Sequence, residues 1–336
     1  MGNLPAARVT ESRPFTHTGV DYCGPFFVKE KKLRNRSRVK VYTAVFVCLA
    51  VKAVHLEVVS DLTSEGFIAA LRRFIARRGF CISLHSDNGT NFVGANNELR
   101  ELRDLLRSDD HNNRVQAFLS DRLIEWHFIP PQAPHFGGLW EAAVKSFKYH
   151  LKRVAGAEFF TFESFNTLII EIESILNSRP LTPISSDPND LLVLTPGHFL
   201  IGDSFTSLRE RDFRDVPANR LSSWQQIQKV KQHFWARRHR EYLNELVTRS
   251  KWSSGSHTIT EGTIVLLRED NIPPMQWALG RVTQVHPGSD GIVRTVTIKT
   301  ATNVLVRSVK KLAPLPIEAK EEDSEEPATK GEHSSP

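Results

Sequence analysis

Three acidic residues in apolar settings constrain the fold of this chain more than any other feature. Asp21 lies within the apolar run 18–28, Asp87 follows a second apolar run, and Glu141 lies at the start of an amphipathic stretch. An acid in such a setting is costly to bury unless its charge is compensated. Two divalent cations roughly 3.5–4 Å apart would compensate all three acids. Since 65 residues separate the first pair and 53 the second, only tertiary structure can bring them together.

The composition is that of a soluble globular protein with two or three domains. The chain has 336 residues, of which 40% are hydrophobic and 24% charged, and these are ordinary globular values. It contains no run of about 20 apolar residues, so a membrane protein is excluded. Three cysteines without Cys-x-x-Cys spacing exclude a zinc finger and indicate buried thiols in a reducing compartment.

The charge of the chain is unevenly distributed. The formal net charge is +6, but residues 317–336 hold seven acids and two lysines, so residues 1–316 carry +11. A basic body with a separate acidic tail favours a polyanionic partner such as nucleic acid. Simple solubility is the alternative interpretation, and charge alone does not exclude it.

The first half of the chain alternates between strand-like and helix-like patterns. Strands are predicted at 19–28, 39–49, 53–59, 80–84 and 123–129, and helices at 64–78, around 97–119, at 139–154 and at 162–176. A helix cap is expected at 61–64. This order predicts an α/β fold, a ribonuclease H-like five-stranded mixed sheet with flanking helices.

The second half predicts a connector and a small β domain. Residues 177–215 read as loop, 221–246 as a long basic helix, and 251–256 as a linker. The apolar stripe of that helix packs on the core or pairs with another subunit, and the sequence does not decide between them. Strands at 263–268, 278–285, 292–299 and 304–308 are typical of a small SH3-like β-barrel. The predicted domains are 1–17 (irregular), 18–180 (sheet), 181–256 (connector), 257–316 (barrel) and 317–336 (disordered acidic tail).

Three motifs together resemble a known family. They are Gly19-Val-Asp-Tyr-Cys-Gly-Pro-Phe26, His85-Ser-Asp-Asn-Gly-Thr-Asn-Phe92 and Gly138-Leu-Trp-Glu-Ala-Ala-Val-Lys145. They resemble the catalytic core of retroviral and retrotransposon integrases. The stretch from Trp126 to Glu141 is similar to that of BEL/Pao long-terminal-repeat retrotransposons, and a similar pattern continues from Trp277 to Leu315.

The resemblance assigns Asp21, Asp87 and Glu141 to a D-D-E metal triad that holds two Mg²⁺ or Mn²⁺ ions. In the familiar pattern the second interval is near 35 residues, whereas here it is 53. The excess falls on the predicted helices around 97–119, where a peripheral insertion need not move either acid. The implied chemistry is 3′-end processing of DNA with water and strand transfer with a DNA 3′-hydroxyl.

Several basic residues are predicted to contact DNA. Lys145 and Lys148 lie four and seven residues after Glu141 and therefore share its helix face. Gln132 belongs to a glycine-containing loop that ends at Gly138 and is expected to lie over the site. The connection between the first two strands adds phosphate contacts, namely Lys31, Lys32, Arg34, Arg36 and Arg38.

Two further groups are assigned less narrowly. His85 and His127 are candidates for the cleft, although buried structural histidines are the more ordinary interpretation. The predicted barrel carries cations and an aromatic residue that suit DNA or a chromatin-associated protein, although aromatic positions of barrels are usually core: Trp277, Arg281, Arg294, Lys299 and Arg307.

We therefore predict a DNA integrase that acts on element ends and target DNA as a homo-oligomer. Its expected location is the nucleus, after a cytoplasmic pre-integration stage. Two alternatives stay open: a non-catalytic DNA- or chromatin-binding relic, and a metal-dependent nuclease without strand transfer. Integrases of this kind generally use an upstream zinc-binding domain, so the absence of a zinc motif suggests a fragment, a cleaved product or a host-retained remnant.

Overall fold

The first half of the chain is built on a five-stranded mixed sheet. A computed structural model describes residues 6–29, 37–87, 91–97, 124–128, 138–155, 160–185, 187, 189–254 and 259–316. The strands are β1 His17–Lys29, β2 Arg38–Cys48, β3 Val54–Val59, β4 Ser83–Ser86 and β5 Glu125–Phe128. Their order is β3-β2-β1-β4-β5, with β1, β2 and β3 antiparallel and β1, β4 and β5 parallel. This confirms the predicted ribonuclease H-like sheet.

Helices cover both faces of this sheet. They are α1 Ala6–Val9, α2 Ser64–Arg78, α3 at residues 91–97, α4 Gly138–Ala155 and α5 Phe162–Asn177. Helices α4 and α5 pack on one face, where Val45 and Cys23 of the sheet meet Phe147 and Leu168. Helix α2 and residue Phe92 of α3 pack on the other face. Each face of the sheet therefore has its own hydrophobic core.

Helix α2 shows how local sequence sets the boundaries of an element. The Thr63 hydroxyl accepts a hydrogen bond from the Gly66 amide at 3.0 Å, which satisfies a free donor of the first turn. The helix ends at Gly79, whose φ of 84° suits glycine. The predicted cap at 61–64 is confirmed.

The outer edge of β3 is closed by side chains of α5. The Asn177 amide accepts from the Val54 amide at 2.8 Å and donates to the Val54 carbonyl at 2.7 Å. The Glu173 carboxylate accepts from the Leu56 amide at 2.8 Å. An edge strand otherwise offers unpaired backbone groups to other chains, so α5 protects this edge.

One long helix joins the two halves of the protein. Helix α7, Ser223–Ser254, places Ile227 and Phe234 in the core of the first sheet and Leu243 and Leu246 in the core of the second. Its apolar stripe thus packs within the chain, the first of the two predicted possibilities. The predicted linker at 251–256 is wrong for residues 251–254, because the helix continues to Ser254.

The carboxyl-terminal part is a second, antiparallel five-stranded sheet. Its strands are β8 Ile264–Leu267, β9 Leu279–Pro287, β10 Val293–Thr300, β11 Val304–Ser308 and β12 Leu312–Pro314, in the order β11-β10-β9-β8-β12. The sheet fits the predicted SH3-like domain, and β12 is a strand that the sequence did not predict. The predicted loop 177–215 also contains β6 Thr182–Pro183, β7 Val193–Leu194 and α6 Pro196–Ile201.

Other predictions are tested only in part. Cys23, Cys48 and Cys81 are free and buried, as predicted. The predicted helical residues 98–119 and the acidic tail 317–336 lie outside the described residues. Within the part of the chain that the structure describes, no helix has the length and hydrophobicity needed to cross a bilayer.

Candidate metal and nucleic-acid site

Asp21 lies within strand β1, between the buried residues Val20 and Cys23. Val20 and Cys23 are fully buried, whereas Asp21 is half-buried and pairs with Val45 across the antiparallel β1–β2 ladder. One Asp21 carboxylate oxygen accepts a hydrogen bond from the Tyr22 amide at 2.6 Å. Because residues directly opposite each other share a face of the sheet, Asp21 lies on the face of Val45, the face that α4 covers.

The pairing register brings Asp87 level with Asp21. In the parallel β1–β4 ladder, His17 pairs with Ser83 and Gly19 pairs with His85. Continuing both chains by two residues reaches Asp21 and Asp87, and neighbouring strands lie about 4.8 Å apart. Asp87 is the exposed residue just after β4. By this register the two aspartates fall at equivalent positions of adjacent chain segments, with Asp87 directly after the carboxyl end of β4.

Helix α4 supplies the third predicted acid. Glu141 is in the first turn of α4, and its side chain lies outside the described residues. Further along the helix, Val144, Phe147 and Leu151 are buried against the face of the sheet that carries Val45. The backbone of Glu141 is thus on the helix that covers the Asp21 face of the sheet.

The donor chemistry of the two aspartates suits a hard cation. Mg²⁺ and Mn²⁺ prefer carboxylate oxygens, and Mg²⁺ sites commonly use one or two carboxylates. Among the described residues no three His, Cys, Asp or Glu side chains form a metal-binding group. Asp21 and Asp87 fit a divalent metal by ligand type, and completion of the predicted triad depends on Glu141.

A stripe of lysines runs along α4, the helix that packs on the Val45 face of the sheet. Lys145 is exposed and Lys148 is half-buried. Burial raises the pKa of the Cys23 thiol to about 12, while the charges of Lys148 and Lys152 oppose the rise and that of Asp21 adds to it. Lys148, Lys152 and Asp21 therefore all lie near the Cys23 thiol.

Lys152 is a residue that the sequence interpretation missed. It lies four residues after Lys148 and eleven after Glu141, so it continues the same helix face. Helical spacing alone was a sufficient signal. The stripe therefore comprises Lys145, Lys148 and Lys152.

A row of histidines crosses the parallel strands beneath the two carboxylates. Nδ1 of His17 lies 2.7 Å from the Ser83 hydroxyl, which lies 3.1 Å from Nε2 of His85. The rings of His85 and His127 stack with centroids 4.7 Å apart. Burial lowers the pKa of His85 to about 4, and His127 and His17 lower it further. His85 is therefore neutral at physiological pH, in agreement with the structural interpretation.

Other predicted DNA contacts lie mostly outside the described residues. These are Gln132, Lys31, Lys32, Arg34 and Arg36. Arg38 is described and exposed, and it pairs with Lys29 at the base of the β1–β2 hairpin.

Two predicted DNA contacts of the second sheet have structural roles. Trp277 packs edge-on against Trp235, with ring centroids 4.9 Å apart, so it is core as expected for an aromatic barrel residue. Arg281 is only 8% exposed and donates to the carbonyls of Gly262, Asp187 and Asp190. A DNA contact by Arg281 would remove its hydrogen bonds to these three carbonyls. Arg294 is exposed and pairs with its neighbour Asp290.

Helix α7 is less basic than its sequence suggests. Lys231 is 3% exposed and pairs with Glu171 and Glu210. Arg238 pairs with Glu241 at 2.7 Å and with Glu245 at 2.9 Å. These cations stabilise the packing of α7 and are neutralised, whereas Arg237 and Arg240 are exposed.

Comparison with known proteins gives two family matches. Residues 11–134 match the family described as "Integrase core domain", and residues 222–315 match a family of unknown function, DUF5641. No curated protein is significantly similar in sequence. A chain of the solved simian T-cell lymphotropic virus intasome in complex with PP2A regulatory subunit B56 gamma is 12% identical, with a TM-score of 0.37 over 95% of this chain and 85% of that chain. Likeness at that score is too low to support an inference.

Proposed function

We propose that this chain, of which residues 11–134 match the family described as "Integrase core domain", catalyses metal-dependent processing of DNA 3′ ends and their transfer into target DNA. The observation that supports the proposal is the β1–β4 register, which, continued two residues past Gly19 and His85, would bring Asp21 and Asp87 next to each other. Asp21 also lies on the face of the sheet that α4 covers, and α4 is the helix that bears Glu141. The finer assignment to the BEL/Pao lineage and a nuclear site of action remain part of this proposal.

Asp21, Asp87 and Glu141 would hold two Mg²⁺ or Mn²⁺ ions. When bound, such ions lower the pKa of an attacking oxygen and stabilise the leaving oxygen. In both reactions a new P–O bond forms to water or to a DNA 3′-hydroxyl, and the bond to the leaving 3′-oxygen breaks. The leaving oxygen retains the bonding electrons and takes up a proton.

The lysine stripe on α4 would hold the DNA. Ammonium groups bind phosphate as point charges, and these cations extend along one side of α4 from Glu141. They would neutralise the backbone phosphates next to the reacting one and fix its position. His85 is neutral and hydrogen-bonded to Ser83, so it would support the strand that ends at Asp87.

The test compares the full chain with Asp87→Asn. Each protein is incubated with a labelled duplex carrying element-end sequence, a target plasmid, and Mg²⁺ or Mn²⁺. Joined products are expected from the wild type and at least 100-fold less from the variant, because removal of a group that stabilises transition-state charge costs about 10²–10³ in rate.

The same assay separates the two alternative functions. Hydrolysis of the duplex without joining would identify a nuclease and overturn strand transfer. DNA binding without either product, in the presence or absence of metal, would identify a non-catalytic DNA-binding protein. An Asp87→Asn variant that joins as well as the wild type would remove Asp87 from the site.

A further inference from the structure

Two consecutive hydrogen bonds link strand β5 to the backbone of Asp87. The Trp126 indole N–H donates to the Ser86 hydroxyl, with Nε1 and Oγ 2.9 Å apart, and the Ser86 hydroxyl donates to the Asp87 carbonyl at 2.9 Å. An indole N–H can only donate, and a hydroxyl has one proton to give, so the direction of both bonds is fixed. We call this arrangement the Trp126–Ser86–Asp87 link.

The link holds Asp87 at the point where the chain leaves the sheet. Ser86 pairs with Phe128 in the last pair of the described β4–β5 ladder, and the described β1–β4 ladder ends one residue earlier, at His85. Backbone groups at the end of a strand lose the partners that the ladder supplies. A side chain that binds the Asp87 carbonyl therefore fixes a peptide group that the ladder no longer holds.

Ser86 acts on Asp87 from the buried side of the sheet. Ser86 is fully buried, and Trp126 packs on the hydrophobic core that α2 covers. Asp21 lies on the opposite face, which α4 covers. The link is thus separated by the sheet from the face of Asp21, and its hydroxyl is shielded from solvent.

Trp126 is itself held in place by a cluster of aromatic rings. Its ring centroid lies 5.6 Å from that of Phe67, and Phe67 meets Phe92 of α3 edge-on at 4.9 Å. Phe92 stacks on Tyr22, the residue after Asp21, at 5.3 Å. Aromatic pairs at such distances prefer defined orientations, so the direction of the Trp126 N–H is set by packing.

We propose that Ser86 and Trp126 are positioning residues that orient Asp87 for binding a divalent cation. This inference rests on the proposed function, because it takes the Asp87 carboxylate to be a metal ligand. Hydrogen bonds behind metal ligands commonly change metal affinity or activity by 10–100-fold when they are removed. Ser86 and Trp126 act through the peptide group of Asp87, by limiting the positions that its carboxylate can adopt.

The test measures binding of Mn²⁺ to the full chain without DNA, from the electron paramagnetic resonance signal of unbound Mn²⁺. Asp87→Asn defines the part of the binding that depends on the site. Ser86→Ala is expected to weaken this part about 10-fold, because the Asp87 carbonyl loses its hydroxyl partner. Trp126→Phe keeps an aromatic ring but removes the N–H, and it should weaken binding about 3-fold, as for loss of one neutral hydrogen bond. Ser86→Thr keeps the hydroxyl and should bind Mn²⁺ nearly as the wild type does.

The protein contains a matched control for this test. The Trp277 indole N–H donates to the Ser178 hydroxyl at 3.3 Å, and that hydroxyl donates to the Ile175 carbonyl at 2.9 Å. Ser178 is 3% exposed and lies just after α5, so Ser178→Ala removes a hydroxyl with the same two bonds from another part of the fold. Its Mn²⁺ binding should equal that of the wild type. Thermal unfolding of both alanine variants checks that the loss of stability is similar.

Several results would overturn the inference. Unchanged Mn²⁺ affinity in Ser86→Ala would show that the link does not position Asp87, and equal losses in Ser86→Ala and Ser178→Ala would show a general effect of stability. Ser86→Thr binding as weakly as Ser86→Ala would assign the effect to packing, and Mn²⁺ binding unchanged by Asp87→Asn would remove the ligand. The proposed function fails differently, by the absence of joined DNA products from the wild type while Ser86→Ala still loses Mn²⁺ affinity.

Discussion

Lys148 combines a structural position with a proposed functional one. It is half-buried on α4, and its charge opposes the effect of burial on the Cys23 thiol of β1. A cation held against a sheet in this way has fewer accessible positions than an exposed lysine. We expect it to be the best-positioned phosphate ligand of the stripe.

Replacing Lys148 with alanine should weaken binding of a DNA end without unfolding the protein. Loss of one phosphate contact is expected to reduce the salt slope by about 0.9 and affinity by roughly 10-fold. Fluorescence anisotropy over a salt series measures both quantities. The matched control is Arg72→Ala, an exposed cation on α2, the helix on the opposite face of the sheet. Equal losses in the two variants would contradict a specific role for Lys148.

Single residues could be predicted where chemistry and local spacing agree. Asp21 and Asp87 stood out because acids beside apolar runs are unusual, and Lys148 followed from helical spacing. Arg281 was grouped with the DNA-binding cations of the barrel, because the sequence alone does not distinguish a buried arginine from an arginine that contacts DNA. Its carbonyl partners at Asp187 and Asp190 are about 90 residues away, so no local pattern reveals them.

At the scale of elements, the contact between α5 and β3 determines how the sheet ends. Asn177 is fully buried and satisfies both backbone groups of Val54. A buried network lies beside it, in which His55 contacts Glu57 at 3.0 Å and Glu173 at 3.1 Å. Burial lowers the pKa of His55, but the hydrogen bonds to Glu173 and Glu57 outweigh it, so the pKa is raised. Protonated His55 therefore favours the folded state.

Asn177→Ala is predicted to destabilise the protein by about 2–4 kcal/mol, because it leaves a buried donor and a buried acceptor without partners. Urea denaturation followed by circular dichroism measures the change. Asn166→Ala on the same helix is the control, since Asn166 is half-buried and its side chain makes no hydrogen bond among the described residues. The control should change stability by less than about 1 kcal/mol. A similar loss in both variants would argue against the edge contact.

Elements were predictable where the apolar pattern coincided with the packed face. Strands β1, β2 and β3 were predicted within two residues because alternation and burial agree. Strand β4 was predicted at 80–84 but is Ser83–Ser86. The run at 80–82 contains Phe80 and Ile82, which are 38% and 56% exposed, so apolar character there does not mark the strand. Pairing with β1 fixes the position of β4, and that is long-range information.

At the scale of the whole molecule, Trp277 ties the second sheet to α7 and α5. Its ring packs against Trp235, His239 and Tyr242, with centroids 4.9–5.4 Å apart. Its indole N–H donates to the Ser178 hydroxyl at 3.3 Å. One side chain thus contacts the helix shared by both cores and the end of α5.

Trp277→Ala is expected to cost about 3–5 kcal/mol, as for other large-to-small core substitutions. Since the lost contacts join the two sheets, thermal unfolding of the variant should separate into two transitions, whereas a single transition is expected for the wild type. Differential scanning calorimetry resolves them. Trp277→Phe retains an aromatic ring and should keep a single transition. A single transition in the alanine variant would mean that the sheets are coupled elsewhere.

The assembly of the two halves was the least predictable level. The fold class and the order of elements followed from the patterns of strands and helices. One cavity, however, is lined by Arg240 of α7 and also by Lys310 and Lys311, at least 70 residues later in the chain. Strand β12 has only three residues, too few for a periodic pattern. The end of α7 was missed because its apolar stripe stops at Val247 while the backbone remains helical to Ser254.

Helix α7 is a continuous rod of 32 residues, about 48 Å long at 1.5 Å per residue. Because Ile227 and Phe234 lie in one hydrophobic core and Leu243 and Leu246 in another, this helix fixes the distance between the two sheets. The stretch of duplex protected from nuclease digestion should then have one length, independent of base sequence. Helix α7 joins the two cores, and it would in this way also set the distance from the DNA end at which the protein binds the duplex.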